Sequence, residues 1–125
     1  MKRLFVILSF VLFIAFNSSA QRKVDCANAT TQAEMTMCAQ EEFTATDKQL
    51  NTLYKKVVAA CSTKQRAELV KVQKSWLLYR DQHAEMMRSL NAGGSIAPMT
   101  ALNAKTLTTQ SRIKELQALL YQLTL

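Results

Sequence analysis

The sequence contains few residues that interrupt helices, with only two glycines, Gly93 and Gly94, and a single proline, Pro98. Glycine and proline are the strongest local breakers of regular secondary structure, and here they are confined to one short stretch. The rest of the chain therefore favours long helices joined by short turns. The sequence also lacks the alternating apolar and polar pattern of strands, internal repeats and low-complexity segments.

Residues that commonly build catalytic or metal sites are scarce as well. His83 is the only histidine, and the three cysteines are spaced 12 and 23 residues apart, unlike the ligands of a zinc site. The sequence has no glycine-rich phosphate loop, no Ser/His/Asp set and no paired-carboxylate signature. We therefore expect no enzymatic activity, no cofactor and no metal. We interpret His83 as a packing or partly exposed residue.

The first twenty residues have the pattern of a secretory signal peptide. A basic start precedes the apolar run "LFVILSFVLFIAF", and the small residues Ser18 and Ala20 fit a cleavage site directly after Ala20. This run is shorter than the roughly 20 apolar residues that a spanning helix needs, which argues against an uncleaved anchor. We expect residues 1–20 to be removed and residues 21–125 to form one periplasmic or secreted domain that is not an integral membrane protein.

Charge is distributed unevenly along the chain. Residues 21–50 carry three basic and five acidic side chains, whereas residues 51–125 carry eleven and four. Solvated helix faces explain most such charge, and contact with an anionic component of the cell envelope is the alternative explanation. Nucleic acid is not an expected partner, because the chain has an export signal and lacks the interleaved aromatic and basic residues that stack on bases.

Two capping boxes and three apolar stripes predict an all-α, up-down-up bundle of three helices. The stretches "TQAE" at 31–34 and "STKQ" at 62–65 each place a hydroxyl side chain three residues before a Glu or Gln, which marks a helix start. We therefore predict helices near residues 32–60, 63–91 and 98–122, and no sheet.

Each predicted helix carries one stripe of apolar residues, mostly three or four apart, that is expected to face the core. In the first helix the stripe consists of Met35, Cys38, Phe43, Leu50, Leu53, Tyr54, Val57, Val58 and Cys61. In the second it consists of Leu69, Val72, Trp76, Tyr79, His83, Met86 or Met87, and Leu90. In the third it consists of Met99, Leu102, Leu107, Ile113, Leu116, Leu120 and Leu123.

The stretch "SWLLYRDQH" at 75–83 contains the only tryptophan and the only histidine, next to an Arg-Asp pair. In an antiparallel hairpin of the first two helices, Arg80 lies within one helical turn of Asp47. We predict a bidentate ion pair between Arg80 and Asp47, with Trp76 and Tyr79 packing beside it. Such a bridge would define the register of the helices more than it would add net stability.

Three cysteines in an exported chain indicate one disulfide and one remaining thiol. Cys38 and Cys61 are about 35 Å apart along a continuous helix, whereas a disulfide needs Cα atoms within about 7 Å. Cys26 precedes the first helix, and its segment can fold back over the first turns to reach Cys38. We therefore predict a disulfide between Cys26 and Cys38, with Cys61 free near the turn.

Three stretches in this order, "DCANATTQAEMTMCAQEEFTATDKQLNTLY", "QKSWLLYRD" and "GGSIAPM", resemble the LprI-like family of small exported bacterial proteins, which is named for a lysozyme inhibitor. The resemblance runs from Cys26 to about Leu119. It implies a helical, disulfide-braced domain, periplasmic or lipid-anchored, in a family whose members are mostly uncharacterised. The residues that correspond to the family's motifs are Cys26, Cys38, Asp47, Leu50, Asn51, Tyr54, Trp76, Tyr79, Arg80 and Asp81.

The sequence departs from this family pattern at two positions. Many members carry two further cysteines, one shortly after the Arg-Asp pair and one after Gly-Gly-Ser, where this sequence has Ala84 and Ala104. The joint loss of both cysteines fits the loss of a second disulfide. The resemblance thereby supports Cys26 and Cys38 as the remaining pair.

The resemblance implies a lysozyme as a partner, and the sequence offers one loop for this role. A lysozyme cleft holds two catalytic carboxyl groups, so an inhibitor is expected to insert a loop with cations or hydroxyl donors. The stretch "NAGGSIAP" is the only glycine-containing loop, and its candidate binding residues are Arg88, Asn91, Gly93, Gly94, Ser95 and Ile96. Animal-type lysozymes are basic, however, so a basic partner lacks overall electrostatic attraction to them.

The alternative function is an envelope-associated structural or binding module whose ligand is unknown. Such a module would bind an anionic envelope component through a basic face of the second and third helices. The candidate residues for that face are Lys71, Lys74, Arg88, Lys105, Arg112 and Lys114.

Overall fold

The computed structural model describes residues 23–125, which form three long helices. Helix α1 spans Gln32–Ala60, α2 spans Thr63–Ser89 and α3 spans Ala97–Leu123. The predicted all-α fold is confirmed, and no strand occurs within residues 23–125. None of the helices in this range is long and apolar enough to cross a membrane. The predicted signal peptide, residues 1–20, lies outside the described residues.

Both predicted capping boxes are present. The Thr31 hydroxyl accepts a hydrogen bond from the Glu34 backbone N–H at 3.2 Å, and the Glu34 carboxylate accepts one from the Thr31 N–H at 3.1 Å. Ser62 and Gln65 form the same reciprocal pair at 3.3 and 2.8 Å. These bonds satisfy N–H groups that lack partners within the helix, which explains why α1 and α2 begin where the sequence predicts.

Helix α3 makes the main packing contacts of the bundle, against both α1 and α2. Asp81 of α2 contacts Lys105, and earlier on α2 Gln73 contacts Arg112, so α2 and α3 run antiparallel. The short turn between α1 and α2 reverses the chain in the same way, which produces the predicted up-down-up arrangement. Helices α1 and α2 approach each other less closely and meet mainly through long side chains.

The largest apolar cluster lies at the end of the bundle that contains the α1–α2 turn. We call this cluster the apolar end, and its buried members are Leu50, Val57, Cys61, Leu69 and Leu116. Partly buried apolar side chains pack around it, among them Tyr54, Trp76 and Ile113. Because each fully buried Leu or Val contributes about 1.5–3 kcal/mol, this end supplies much of the hydrophobic stabilisation.

The buried face of α2 differs from the predicted stripe. The residues of α2 that face the interior are Leu69, Gln73, Arg80 and Ala84. Three residues that were predicted to face the core are instead mostly exposed, namely Val72, Tyr79 and Leu90. Of the two alternatives Met86 and Met87, Met86 is exposed and Met87 is half-buried. The prediction is wrong because Gln73 and Arg80 bond to partners on the neighbouring helices and so occupy the inward positions. Leu107 of α3, also predicted to face the core, is exposed too.

Cys26 and Cys38 form the predicted disulfide, with their Cα atoms 5.6 Å apart. The bridge fastens the segment before α1 onto the early turns of that helix. Cys61 is the free cysteine, buried where α1 ends. The predicted pairing is therefore confirmed, and Cys61 forms no disulfide within residues 23–125.

Candidate functional site

A group of four charged residues connects the three helices around Arg80. Arg80 Nη1 donates to Asp47 Oδ1 of α1 at 3.0 Å, and Arg80 Nε donates to Asp81 Oδ1 at 3.0 Å. Lys105 Nζ of α3 lies 3.5 Å from the same Asp81 oxygen. We call Asp47, Arg80, Asp81 and Lys105 the Arg80 centre.

The predicted ion pair between Arg80 and Asp47 is present, but the predicted bidentate geometry is wrong. Arg80 divides its donors between two carboxylates, because Asp81 is the next residue along α2 and competes for the guanidinium. The Asn51 side-chain amide donates to Asp47 Oδ2 at 2.9 Å and so holds the α1 carboxylate from one turn away. Tyr54 lies further along α1, half-buried against the apolar end.

Aromatic rings contact the Arg80 guanidinium. Its central carbon lies 5.4 Å from the ring centre of Phe43 and 5.3 Å from that of Trp76. Both distances are within the range of cation–π attraction, so Trp76 packs beside the ion pair as predicted. Tyr79 does not, because it is mostly exposed and stacks on His83, with the ring centres 5.7 Å apart.

The Arg80 centre keeps Asp81 ionised. Partial burial raises the pKa of Asp81, but the hydrogen bond and charge of Arg80, together with the charge of Lys105, lower it by more. The pKa of this carboxyl therefore lies below its ordinary value, far from the neutral range in which a general acid or base works best. The arrangement supports a structural role, in which the centre holds three helices in one register.

His83 lies beside the Arg80 centre without joining it. The residue is half-buried, and its imidazole stacks on the Tyr79 ring at an interplanar angle of 14°. Within the described residues, no group of three or more His, Cys, Asp or Glu side chains is placed to hold a metal ion.

The loop between α2 and α3 consists of successive hydrogen-bonded turns. The Asn91 N–H donates to the Arg88 carbonyl at 3.1 Å, the Gly94 N–H to the Asn91 carbonyl at 3.0 Å and the Ala97 N–H to the Gly94 carbonyl at 3.2 Å. Gly93 has a φ of 80°, in the left-handed region that glycine adopts most easily. The backbone of the loop is therefore organised by its own hydrogen bonds.

The candidate binding residues do not all face solvent. Gly93, Gly94, Ser95 and Ile96 are exposed, as is Arg88 at the end of α2. Asn91 is half-buried, and its side-chain amide donates to the Thr100 hydroxyl at 3.4 Å, so it supports the loop from within. A cleft of about 590 Å³ lies beside the loop and is lined in part by Arg88, Gly93 and Gly94.

Two of the six basic residues named for the alternative function are not free cations on the surface. Arg112 is buried, and its guanidinium donates to Gln73 at 3.1 Å and to Glu115 at 2.7 Å. Lys105 belongs to the Arg80 centre, and Lys71 forms an ion pair within α2. Arg112 and Lys105 are therefore engaged by the bundle itself, whereas Lys71, Lys74, Arg88 and Lys114 remain exposed, and the alternative function stays a prediction.

Two residues at this site were not predicted, namely Lys105, a member of the Arg80 centre, and Phe43, whose ring contacts Arg80 and Lys105. The position of Lys105 could have been predicted from the way α2 and α3 align on either side of their connecting loop. The loop between these helices is short, so residues at similar distances before and after it face each other, and Asp81 and Lys105 are such a pair. Phe43 was identified as a core residue, and its position one turn from Asp47 indicates contact with Arg80.

Comparison with known proteins identifies the family. Residues 25–116 match the family model described as "Lysozyme inhibitor LprI". A protein from Rhizobium meliloti (strain 1021), whose name describes it as uncharacterized, is 30% identical over 127 residues, which covers 90% of this chain and 91% of that relative. No solved structure matches the chain. The matched segment contains the disulfide, the Arg80 centre and the α2–α3 loop, and the chain therefore belongs to the LprI lysozyme inhibitor family.

Proposed function

We propose that this chain is an exported binding protein that inhibits a lysozyme through the α2–α3 loop. The match of residues 25–116 to the lysozyme inhibitor family carries this proposal. Export to the periplasm or the cell exterior is proposed from the signal-peptide pattern of residues 1–20, and it would bring the protein to where lysozymes attack the cell wall.

The side chains around the loop suit the chemistry of a lysozyme cleft. Lysozymes place two carboxyl groups on either side of the glycosidic bond that they cleave. The Arg88 guanidinium is half-exposed and lies 4.0 Å from Glu85, a weak contact that leaves its donors available to a carboxylate. Ser95 adds an exposed hydroxyl, and Ile96 adds exposed apolar area at the tip.

The backbone of the loop favours binding because little of it needs to be ordered on contact. Its turns are closed by hydrogen bonds of 3.0–3.2 Å, and its two ends are the ends of long helices. A binding segment that is already in its bound shape loses less conformational entropy on association. The Arg80 centre adds to this by holding α2 against both neighbouring helices.

The basic character of residues 21–125, with fourteen basic and nine acidic side chains, limits which contacts can provide affinity. A basic inhibitor approaching a basic enzyme gains nothing from long-range attraction, so association should be slow and its affinity local to the loop. We therefore expect the strength of inhibition to depend on a few residues at the tip and only weakly on ionic strength.

The proposal is tested by measuring lysis of purified cell walls by animal, goose and invertebrate type lysozymes in the presence of the exported protein. Saturable inhibition of at least one type is expected. Replacing Arg88 by Ala should weaken inhibition about tenfold or more, because a charged partner in the enzyme cleft would be left unpaired. Lys74→Ala is the matched control, since it removes an exposed cation from a different part of α2 and should change little.

Two results would contradict the proposal in different ways. If all three lysozymes stay fully active in a micromolar excess of the protein, lysozyme inhibition is wrong. Binding to an anionic envelope polymer that weakens steeply with salt would then favour the alternative function. If inhibition occurs but Arg88→Ala and Ile96→Ala both retain it, the loop is not the inhibitory surface.

A further inference from the structure

Six residues of α2 and its C-terminal end follow the spacing of a coiled-coil seam. They are Val72, Trp76, Tyr79, His83, Met86 and Leu90, separated alternately by four and three residues. Alternation of four and three keeps side chains on one narrow stripe of a helix, and here the stripe is about 27 Å long. We call these six residues the α2 seam. The fully buried residues of α2 lie on a neighbouring face, and of the six seam residues Trp76 also packs against the apolar end.

The α2 seam is largely open to solvent. Val72, Tyr79, Met86 and Leu90 are 51%, 56%, 60% and 64% exposed, and the other two seam residues are half-buried. Single exposed apolar residues are common on protein surfaces. Four of them at seam spacing on one helix form a continuous apolar strip, which is typical of a surface that packs against another protein.

From Ser75 onward the solvent side of the α2 seam carries no charge, and at its Val72 end lies the exposed ion pair of Lys71 with Glu68. The residues that flank it there are Ser75, Gln82 and Ser89, spaced seven apart, and all three are exposed and uncharged. Within residues 72–90, the exposed charged residues Lys74, Asp81, Glu85 and Arg88 lie on the opposite side of the helix, and Arg80 points inward. The seam therefore differs from the rest of residues 21–125, which carry fourteen basic and nine acidic side chains.

We propose that the α2 seam pairs with the α2 seam of a second copy of this chain in an antiparallel homodimer. Two identical basic proteins repel each other over most of their surfaces, and this strip allows contact without bringing like charges together. A two-fold axis makes the contact self-complementary. If one residue of the first copy contacts a second residue of the other copy, the same two residues also meet with the copies exchanged.

The side chains of the α2 seam favour an antiparallel over a parallel pair. With the two-fold axis crossing the seam at the level of residue 81 along α2, Tyr79 lies opposite His83 of the second copy. Further out, Trp76 lies opposite Met86, and Val72 opposite Leu90. These layers combine larger and smaller side chains evenly, whereas a parallel pair would place two tryptophans in one layer and two valines in the next.

The proposal is tested by sedimentation of the protein in the form that an expressing host exports. We expect a dimer that dissociates on dilution. Met86→Glu should raise its dissociation constant about tenfold or more, because it places an unpaired carboxylate in the apolar strip. Leu78→Glu is the matched control, since Leu78 is also 60% exposed on α2 but lies on a different face. Its dissociation constant should be unchanged, and circular dichroism confirms that both variants remain helical.

The antiparallel arrangement has its own test, which does not depend on a destabilising substitution. Antiparallel pairing places residue 82 beside residue 82 of the second copy, so Gln82→Cys should form a disulfide-linked dimer on oxidation. Ser75→Cys should not form such a dimer, because residue 75 faces residue 89 of the second copy.

A monomer at every concentration, or a dimer unaffected by Met86→Glu, would overturn the proposal. Cross-linking through Ser75→Cys, or none through Gln82→Cys in a dimeric sample, would overturn the antiparallel register. Lysozyme inhibition by a monomeric protein would leave the proposed function intact.

Discussion

Two regions of this bundle, the apolar end and the Arg80 centre near mid-helix, are held together by different kinds of interaction. At the apolar end, Leu50, Val57 and Leu116 are almost completely buried. Around the Arg80 centre the buried residues are instead small or polar, including Thr46, Ala84, Ala104, Thr106 and Thr109. Apolar burial stabilises in proportion to area and has no direction, whereas ion pairs and hydrogen bonds require particular partners. The apolar end therefore provides stability, and the Arg80 centre determines which residues of the helices face each other.

The largest effect is expected from a substitution at the apolar end. Leu116→Ala should lower the free energy of unfolding by about 3–4 kcal/mol, because it removes buried methyl groups and leaves a cavity. Urea denaturation measures the change. Leu107→Ala is the matched control on α3, and its exposed side chain should change stability by less than about 0.5 kcal/mol. Equal losses for the two variants would contradict the location of the core.

A smaller loss is expected at the Arg80 centre. Arg80→Ala removes the partner of Asp47 and Asp81, whose side chains are 35% and 51% exposed and can regain water. We therefore expect a loss of about 2–3 kcal/mol, below that of a fully buried pair. Lys71→Ala breaks an exposed ion pair and should cost less than about 1 kcal/mol. A loss for Arg80→Ala as small as that of Lys71→Ala would show that the Arg80 centre contributes little to the stability of the fold.

Acidic pH should affect the Arg80 centre and the apolar end differently. Since Arg80 and Lys105 together lower the pKa of Asp81, the stability gained from its ionisation is fully present above about pH 4. It is lost as the pH falls through the lowered pKa. The difference in stability between the wild type and Arg80→Ala should therefore shrink in strong acid, while the difference for Leu116→Ala stays constant.

The smallest effect is expected to have the opposite sign. Thr109 is fully buried, and within the described residues its hydroxyl has no hydrogen-bond partner. Thr109→Val keeps the shape and removes this unsatisfied group, so it should raise stability by about 0.5–1 kcal/mol. Thr106→Val is the control, because the Thr106 hydroxyl donates to the Leu102 carbonyl at 3.0 Å and its loss gives no such gain. Thermal denaturation of both variants measures the two changes in stability, and an equal change for both would contradict the prediction.

Features that depend on nearby residues could be predicted from the sequence. The hydroxyl and carboxyl or amide groups of each capping box lie within one turn, so the starts of α1 and α2 were predictable. The disulfide followed from the distance along one helix, and the Arg80–Asp47 pair followed from the short turn between α1 and α2.

Features that depend on the rotation of a helix about its axis were not predictable. The spacing of Val72, Tyr79 and Met86 identifies an apolar face but does not say what packs against it. Gln73 could be placed inward only with knowledge of Arg112, which lies on α3. The position of the α2–α3 loop followed from its glycines, whereas the inward role of Asn91 depends on its contact with Thr100.

The burial of Cys61 has a consequence for the covalent integrity of the protein. A free thiol, as its thiolate, can attack a disulfide of its own chain or of another chain and displace one of the two sulfurs as a thiolate, but only when it is accessible. Close packing at the end of α1 denies this access in the native state. Each transient opening of the α1–α2 turn restores it, so the frequency of opening governs how quickly scrambled or cross-linked species accumulate. Packing by Val57 and Leu116 thus protects a bond between two cysteines at the far end of the helix.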